Sequence, residues 1–182
     1  MINDGGASRR HVLQMGAGAL IWATLGGRAT RCTAGEAAAS RASYGFFSVK
    51  EGNLLAEFAE ALVPGAAAAG CAHFVDYHVT VAPSESLLSL RFFDVAPPYG
   101  DFYRAGLSSL ARIAGNLSGA ERWERVMEAL AQPTLPGWQG PPPGLFYAVV
   151  RSDAIDSVYG TVEGFARLGV PYLPHIPPYK PW

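Results

Sequence analysis

The chain has 182 residues, 14 basic and 15 acidic side chains, and a charged fraction of only 16%. The lack of a basic excess excludes binding to nucleic acid through neutralised phosphates, and the apolar composition excludes disorder by composition. Two cysteines cannot form a multi-disulfide scaffold or a four-thiolate zinc site, so the sequence predicts one compact, charge-poor domain with additional segments.

The first forty residues have the order of an export leader. Arg9 and Arg10, followed by Val12 and Leu13, precede a short apolar run, Met15–Gly27. A twin arginine, an apolar run and then small residues are typical of a twin-arginine signal. The run is shorter than the ~20 residues that a membrane-spanning helix needs.

We therefore interpret residues 1–40 as a signal peptide with a linker, and we expect the protein in the periplasm. Ala37-Ala38-Ala39, just before Ser40, is one candidate cleavage site, and Gly27–Thr30 is an earlier one. The twin-arginine route carries folded proteins, most often because they hold a redox cofactor. The rest of the chain shows no cofactor motif, so either a cofactor site is hidden or the signal serves a partner.

Residues 41–182 predict a single, mainly α-helical domain. Ser48 and Glu51 form a capping box before a helix that ends at Pro64-Gly65. Cys71–Val81 predicts a second helix, although the β-branched residues at its end favour a strand. Ser84–Val95 predicts a further short helix.

The second half of the chain carries stronger helical patterns. Tyr99–Ala114 predicts a long helix, and Ser118 and Glu121 form a second capping box before an apolar stripe that ends at Leu130. Leu145–Tyr159 predicts a further helix with Phe146, Val149 and Val150 facing inward. Residues 160–169 fit no single pattern.

Two proline-rich stretches interrupt this helical domain. Residues 132–144 contain five prolines and Trp138, and residues 170–182 contain five more prolines with large apolar side chains. Proline excludes helix and central strand and lowers the entropy lost on ordering. The tail therefore packs either on its own domain or along another surface, and we predict that loop and tail wrap a partner subunit.

Few residues of the sequence are candidates for catalysis or metal binding. His73 and His78 are five positions apart and so share no face of a helix or strand, which is unsuited to a chelating pair. An independent enzyme or a metal- or ligand-binding module would need both of them to converge with His175. Asp153 and Asp156 could form an acid–base pair, but such residues are more often solvated or cap a turn. We predict no catalytic, cofactor-binding or metal-binding residues in this chain.

Cys71 would be the single cysteine left after cleavage at Ala39. In an oxidising compartment such a thiol is either buried or paired with another chain. If the leader is cut earlier or retained, Cys32 is a further possible disulfide partner.

Scattered motifs over residues 46–180 resemble the subunit 3 family of gluconate 2-dehydrogenase. The matching stretches are Phe46–Glu51 with Leu55–Pro64, Ala69–Asp76, Tyr103–Leu110, Phe146–Arg151, Asp156–Gly160 and Leu168–Tyr179. The family's Tyr-Gly-Gly-Asn and Gly-Trp patterns are replaced here by Val158-Tyr-Gly-Thr161 and Gly164-Phe165, which leaves the exact type of partner open.

The resemblance implies a non-catalytic small subunit in a complex of three. An FAD-containing subunit of the glucose–methanol–choline class oxidises an alcohol or sugar acid, and a multihaem cytochrome c subunit passes electrons to the membrane quinone pool. The small subunit stabilises the flavin subunit and lends it the twin-arginine signal, and it meets the membrane only through the complex. We assign the partner interface to the aromatic and apolar residues of the two proline-rich stretches and their neighbours: Trp138, Phe146, Tyr159, Tyr172, Leu173, His175, Ile176, Tyr179 and Trp182.

Overall fold

The computed structural model describes residues 20–117, 121–132 and 134–170. Within these ranges a two-stranded hairpin precedes a set of helices, which confirms the mainly α-helical prediction. The elements are β1 (Ile21–Leu25), β2 (Arg28–Cys32), α1 (Ala34–Ala39), α2 (Val49–Leu62), α3 (Cys71–His78), a 3-10 helix (Ser89–Phe92), α4 (Tyr99–Gly115), α5 (Arg122–Leu130), α6 (Pro143–Tyr159) and α7 (Val162–Arg167).

Helices α2 to α6 form a helical body around an aromatic core. The Phe146 ring of α6 lies 6.1 Å from that of Phe58 on α2 and 6.0 Å from that of Phe102 on α4. A side chain at Gly106 would come within 2.2 Å of the Phe146 ring, so this glycine permits the close approach of α4 and α6. The inward-facing residues predicted for α6, including Val149 and Val150, are fully buried.

Residues 20–42 form a second unit, which we call the N-terminal layer. β1 and β2 pair antiparallel with Ile21 opposite Cys32, and both residues are buried. Helix α1 adds buried Ala34 and Ala37, and the whole layer packs against α3, where Phe74 and Tyr77 meet it. The hairpin occupies much of the apolar run that the sequence analysis interpreted as leader.

The helix boundaries confirm some predictions and correct others. The capping box of α2 is present, with the Glu51 amide 3.3 Å from Ser48 Oγ. Helix α3 is confirmed, but it ends at His78 rather than at Val81. Of the predicted Ser84–Val95 helix, only the short 3-10 helix forms.

The predicted capping box at Ser118 and Glu121 does not begin α5. That helix begins at Arg122 with Glu121 as its N-cap and no side-chain cap, and Ser118 lies outside the described residues. Residues 160–169, which fit no single pattern in the sequence, contain α7. Thr161 caps this helix by accepting the Gly164 amide at 2.9 Å.

The proline-rich loop folds back on the body. Residues 134–142 contain no helix or strand, and Trp138 Nε1 donates to the Pro141 carbonyl at 2.6 Å. The Trp138 ring lies 5.7 Å from Phe146. Residues 171–182, the predicted tail, lie outside the described residues. Within the described ranges, none of the helices combines the length and apolar character that a membrane span requires.

Candidate functional site

A small cavity of about 90 Å³ lies where the N-terminal layer meets the helical body. β1 forms one wall through Ile21–Thr24, and α3 forms another through His73, Asp76 and Tyr77. Ser43 and Gly45, in the loop that connects the two units, also line it, as does Thr80. Two side chains of types that can carry out acid–base chemistry, His73 and Asp76, therefore lie at this junction.

Asp76 holds the connecting loop by three backbone hydrogen bonds. Its carboxylate accepts the amide of Gly45 at 2.7 Å, that of Phe46 at 3.0 Å and that of Phe47 at 2.8 Å. Consecutive amides that converge on one carboxylate form charge-assisted bonds, which are stronger than neutral ones. Asp76 is itself buried, so it acts as a clamp between α3 and the loop.

The same loop is held from α4 on its other side. Arg104 donates to the Phe46 carbonyl at 3.0 Å, and its guanidinium lies 4.1 Å from the centroid of the Phe46 ring. The guanidinium also forms an ion pair with Glu51 at 3.4 Å. Residues 44–47 are therefore fixed between two helices of the body.

His73 ties α3 to the end of the N-terminal layer. Its Nε2 donates to the Ala42 carbonyl at 3.0 Å, and its ring stacks on Tyr44 with centroids 4.6 Å apart. Burial, with a smaller contribution from the Asp76 charge, raises the pKa of Tyr44. Through its contacts with Ala42 and Tyr44, the His73 imidazole fixes the backbone at the junction.

His78, one turn further along α3, holds a different segment. Its Nδ1 accepts the Leu87 amide at 3.3 Å, and its Nε2 is buried without a partner among the described residues. Burial lowers the pKa of His78 from 6.5 to about 4, so the ring is neutral at pH 7. His73 and His78 do not converge, and His175 lies outside the described residues. The described part of the chain contains no group of three or more His, Cys, Asp or Glu side chains that could hold a metal.

A second buried carboxylate lies in the body, away from the cavity. Asp153 accepts the Ser89 amide at 2.9 Å and the Tyr103 hydroxyl at 2.5 Å, and it is fully buried. Burial raises its pKa from 3.8 to about 6, and burial also raises the pKa of its neighbour Asp156. Of the two carboxylates considered in the sequence analysis, Asp153 is thus a buried acceptor for the first amide of the 3-10 helix, and Asp156 is an exposed neighbour.

The other predicted site residues fall into three groups. Phe146 is fully buried in the core, which corrects its assignment to a partner interface. Trp138 and Tyr159 are half-buried and pack on the body. Cys71 is a fully buried free thiol with its pKa raised by burial, in agreement with the buried alternative, and Cys32 is also free and buried.

The remaining predicted residues lie outside the described ranges. These are the signal residues Arg9, Arg10, Val12 and Leu13 and the tail residues Tyr172, Leu173, His175, Ile176, Tyr179 and Trp182.

The sequence analysis did not identify the segment around the 3-10 helix as a candidate surface for contact with a partner. Leu87, Phe92 and Phe93 are exposed, Phe92 by 74%. The available signal was the density of large apolar side chains, which occupy five of the seven positions from Leu87 to Phe93. Such a run cannot bury every member in one short element.

The three comparisons with known proteins are negative. No family model matches the chain, and neither the curated proteins nor the solved structures contain a match. The family resemblance stays a prediction that rests on the stretches quoted above.

Proposed function

We propose that this chain is the non-catalytic small subunit of a periplasmic, FAD-dependent alcohol or sugar-acid dehydrogenase complex. It stabilises the flavin subunit and carries the twin-arginine signal that escorts that subunit out of the cytoplasm. FAD and haem c are held by the partner subunits, and no cofactor is assigned to this chain.

The observation that carries the proposal is the attachment of the N-terminal layer to the helical body. The N-terminal layer, residues 20–42, is held on α3 by apolar contacts of Ile21 and Ala37 and by the hydrogen bond from His73 to Ala42. The connection to α2 is fixed by Asp76. Because this attachment requires a folded α3, residues 20–42 belong to a folded domain, which supports an escort for folded cargo.

The positions of the polar side chains also favour an accessory role. Asp76 and Asp153 accept backbone amides from distant segments, and His73 and His78 bond to backbone groups of two further segments. Asp76, Asp153 and His73 are engaged in fixing backbone and are poorly placed to exchange protons with a substrate, and the second nitrogen of His78 is buried. These contacts support subunit architecture over an independent enzyme built on the histidines.

Exposed apolar side chains supply a candidate contact for the flavin subunit. Leu87, Phe92 and Phe93 lie close together in sequence and are exposed in the single chain. Grouped exposed apolar residues are typical of surfaces that a partner covers. Together with the tail and with Trp138 and Tyr159, they form our proposed interface.

Substitution of both Arg9 and Arg10 by Lys tests the escort role. We expect the flavin dehydrogenase activity to remain in the cytoplasm, because the twin-arginine route recognises the arginine pair. The matched control is Arg28→Lys with Arg31→Lys, two exposed arginines of β2, which should leave periplasmic activity unchanged. Periplasmic activity that survives the loss of Arg9 and Arg10 would contradict the escort role.

A further inference from the structure

The cleavage site at Ala37–Ala39 lies inside helix α1. The helix starts from a complete capping box, in which the Glu36 amide is 3.2 Å from Thr33 Oγ1 and the Thr33 amide is 2.8 Å from Glu36 Oε2. Ala37 is 0% exposed. Proteases cut exposed, flexible segments, so this site is closed in the folded chain.

The earlier site at Gly27–Thr30 lies at the hairpin turn and in β2. Its residues are exposed, but hydrolysis there would add water across one peptide bond and separate β1 from the rest. β1 carries Ile21, which is 1% exposed, and its Thr24 also pairs with Ser43 beyond the hairpin. Loss of β1 would remove one wall of the cavity next to His73 and Asp76.

The helical body is shaped to receive the N-terminal layer. Gly70 has a positive φ of 79°, and a Cβ there would lie 2.0 Å from the Ala34 carbonyl oxygen of α1. The backbone of α1 therefore contacts the start of α3 at a position that only glycine permits. Such a close backbone contact indicates that α1 belongs to the permanent fold.

From these contacts we infer that residues 20–42 are retained in the working protein and that any removal of the leader breaks the chain before Leu20. The inference rests on the export role proposed above. It assigns two uses to the same residues: Ile21–Leu25 lie in the apolar part of the export leader and form a strand of the exported domain.

The first test reads the amino terminus of the exported protein. The complex is purified from the periplasm through a tag on this chain, and the chain is analysed by intact mass and amino-terminal sequencing. We expect an amino terminus at or before Leu20. A terminus between Ile21 and Ser40 would overturn the inference and leave the export role standing. A chain absent from the periplasm would instead contradict the export role, and the inference would then be decided by the second test.

The second test measures whether the body needs the N-terminal layer. In the full chain, Ile21→Asp should lower Tm by more than about 5 °C because it buries a charge at the interface with α3. Its matched control, Trp22→Asp at a neighbouring residue that is 57% exposed, should change Tm by less than about 2 °C.

Shortened chains complete the second test. A chain that starts at Ser40 should melt more than about 10 °C below a chain that starts at Leu20. Equal melting of the Ser40 and Leu20 chains, or equal effects of the two Asp substitutions, would overturn the inference.

Discussion

The N-terminal layer and the helical body are stabilised in different ways. The body buries several phenylalanine rings in one core, and each such side chain contributes about 2–3 kcal/mol through burial. The layer buries only Ile21, Cys32 and three alanines, so its apolar contribution is far smaller.

The layer makes up for this small core with polar contacts that the body provides. Asp76 holds the connecting loop through three amides, and His73 holds the Ala42 carbonyl. The comparison indicates that the body determines its own fold, whereas the layer depends on groups presented by α3. Substitutions in the core of the body should therefore destabilise both regions. Substitution of Asp76 should destabilise the N-terminal layer more than the body.

The largest effect is expected from Phe146→Ala. Removal of this fully buried ring leaves a cavity among α2, α4 and α6, so the free energy of unfolding should fall by about 3–5 kcal/mol. Chemical denaturation followed by circular dichroism measures it. Phe92→Ala, at a residue 74% exposed, is the control and should cost less than about 0.5 kcal/mol. Similar costs for the two variants would contradict the assignment of Phe146 to the core.

An intermediate effect is expected from Asp76→Ala. Three amides lose their acceptor, so stability should fall by about 2–3 kcal/mol, with faster amide hydrogen exchange at residues 45–47 and in the hairpin. Exchange in α6 should change much less. Asp94→Asn, at an exposed carboxylate, is the control. Uniform acceleration throughout the chain would show that layer and body are one cooperative unit.

The smallest effect is a change in pH dependence within the body. Asp153 has a raised pKa of about 6, so the stability associated with its protonated form is complete below its ordinary value of 3.8 and is lost as pH rises through 6. His78 has a lowered pKa of about 4, so its contribution is complete above 6.5 and is lost as pH falls through 4. Between pH 4 and 6 the two effects oppose each other.

Separate substitutions should reveal the two opposing slopes. In Asp153→Asn, stability should rise with pH between 4 and 6.5, because the opposing contribution of Asp153 is removed and that of His78 remains. In His78→Gln, stability should fall between pH 4 and 6. Denaturant midpoints at pH 4, 5, 6 and 7 measure both slopes, and parallel profiles for the two variants would contradict this assignment.

Much of the body could be predicted because its signals are local. The capping box at Ser48 and the apolar stripe of α5 depend on residues within one or two turns of each other. The hairpin had a local signal as well: Gly26 and Gly27 adopt the positive φ angles that a two-residue hairpin turn needs. Sequence analysis did not predict it because the same residues fit an export leader.

The roles of the buried polar groups could not be predicted from sequence. Asp76 bonds to amides 29 to 31 residues away, and Asp153 bonds to an amide 64 residues away. Short spacing patterns contain no information about such partners. The interface assignment of Phe146 was wrong for a related reason, because its exposure depends on how α2 and α4 pack around it.

The most direct test of the accessory role is co-purification through an affinity tag on this chain from the native periplasm. Our account predicts that a flavin-containing protein and a multihaem cytochrome purify with it in fixed ratio. It also predicts that the chain produced alone is colourless. A chain that purifies by itself, or that alone binds one flavin or one metal per molecule, would contradict the account.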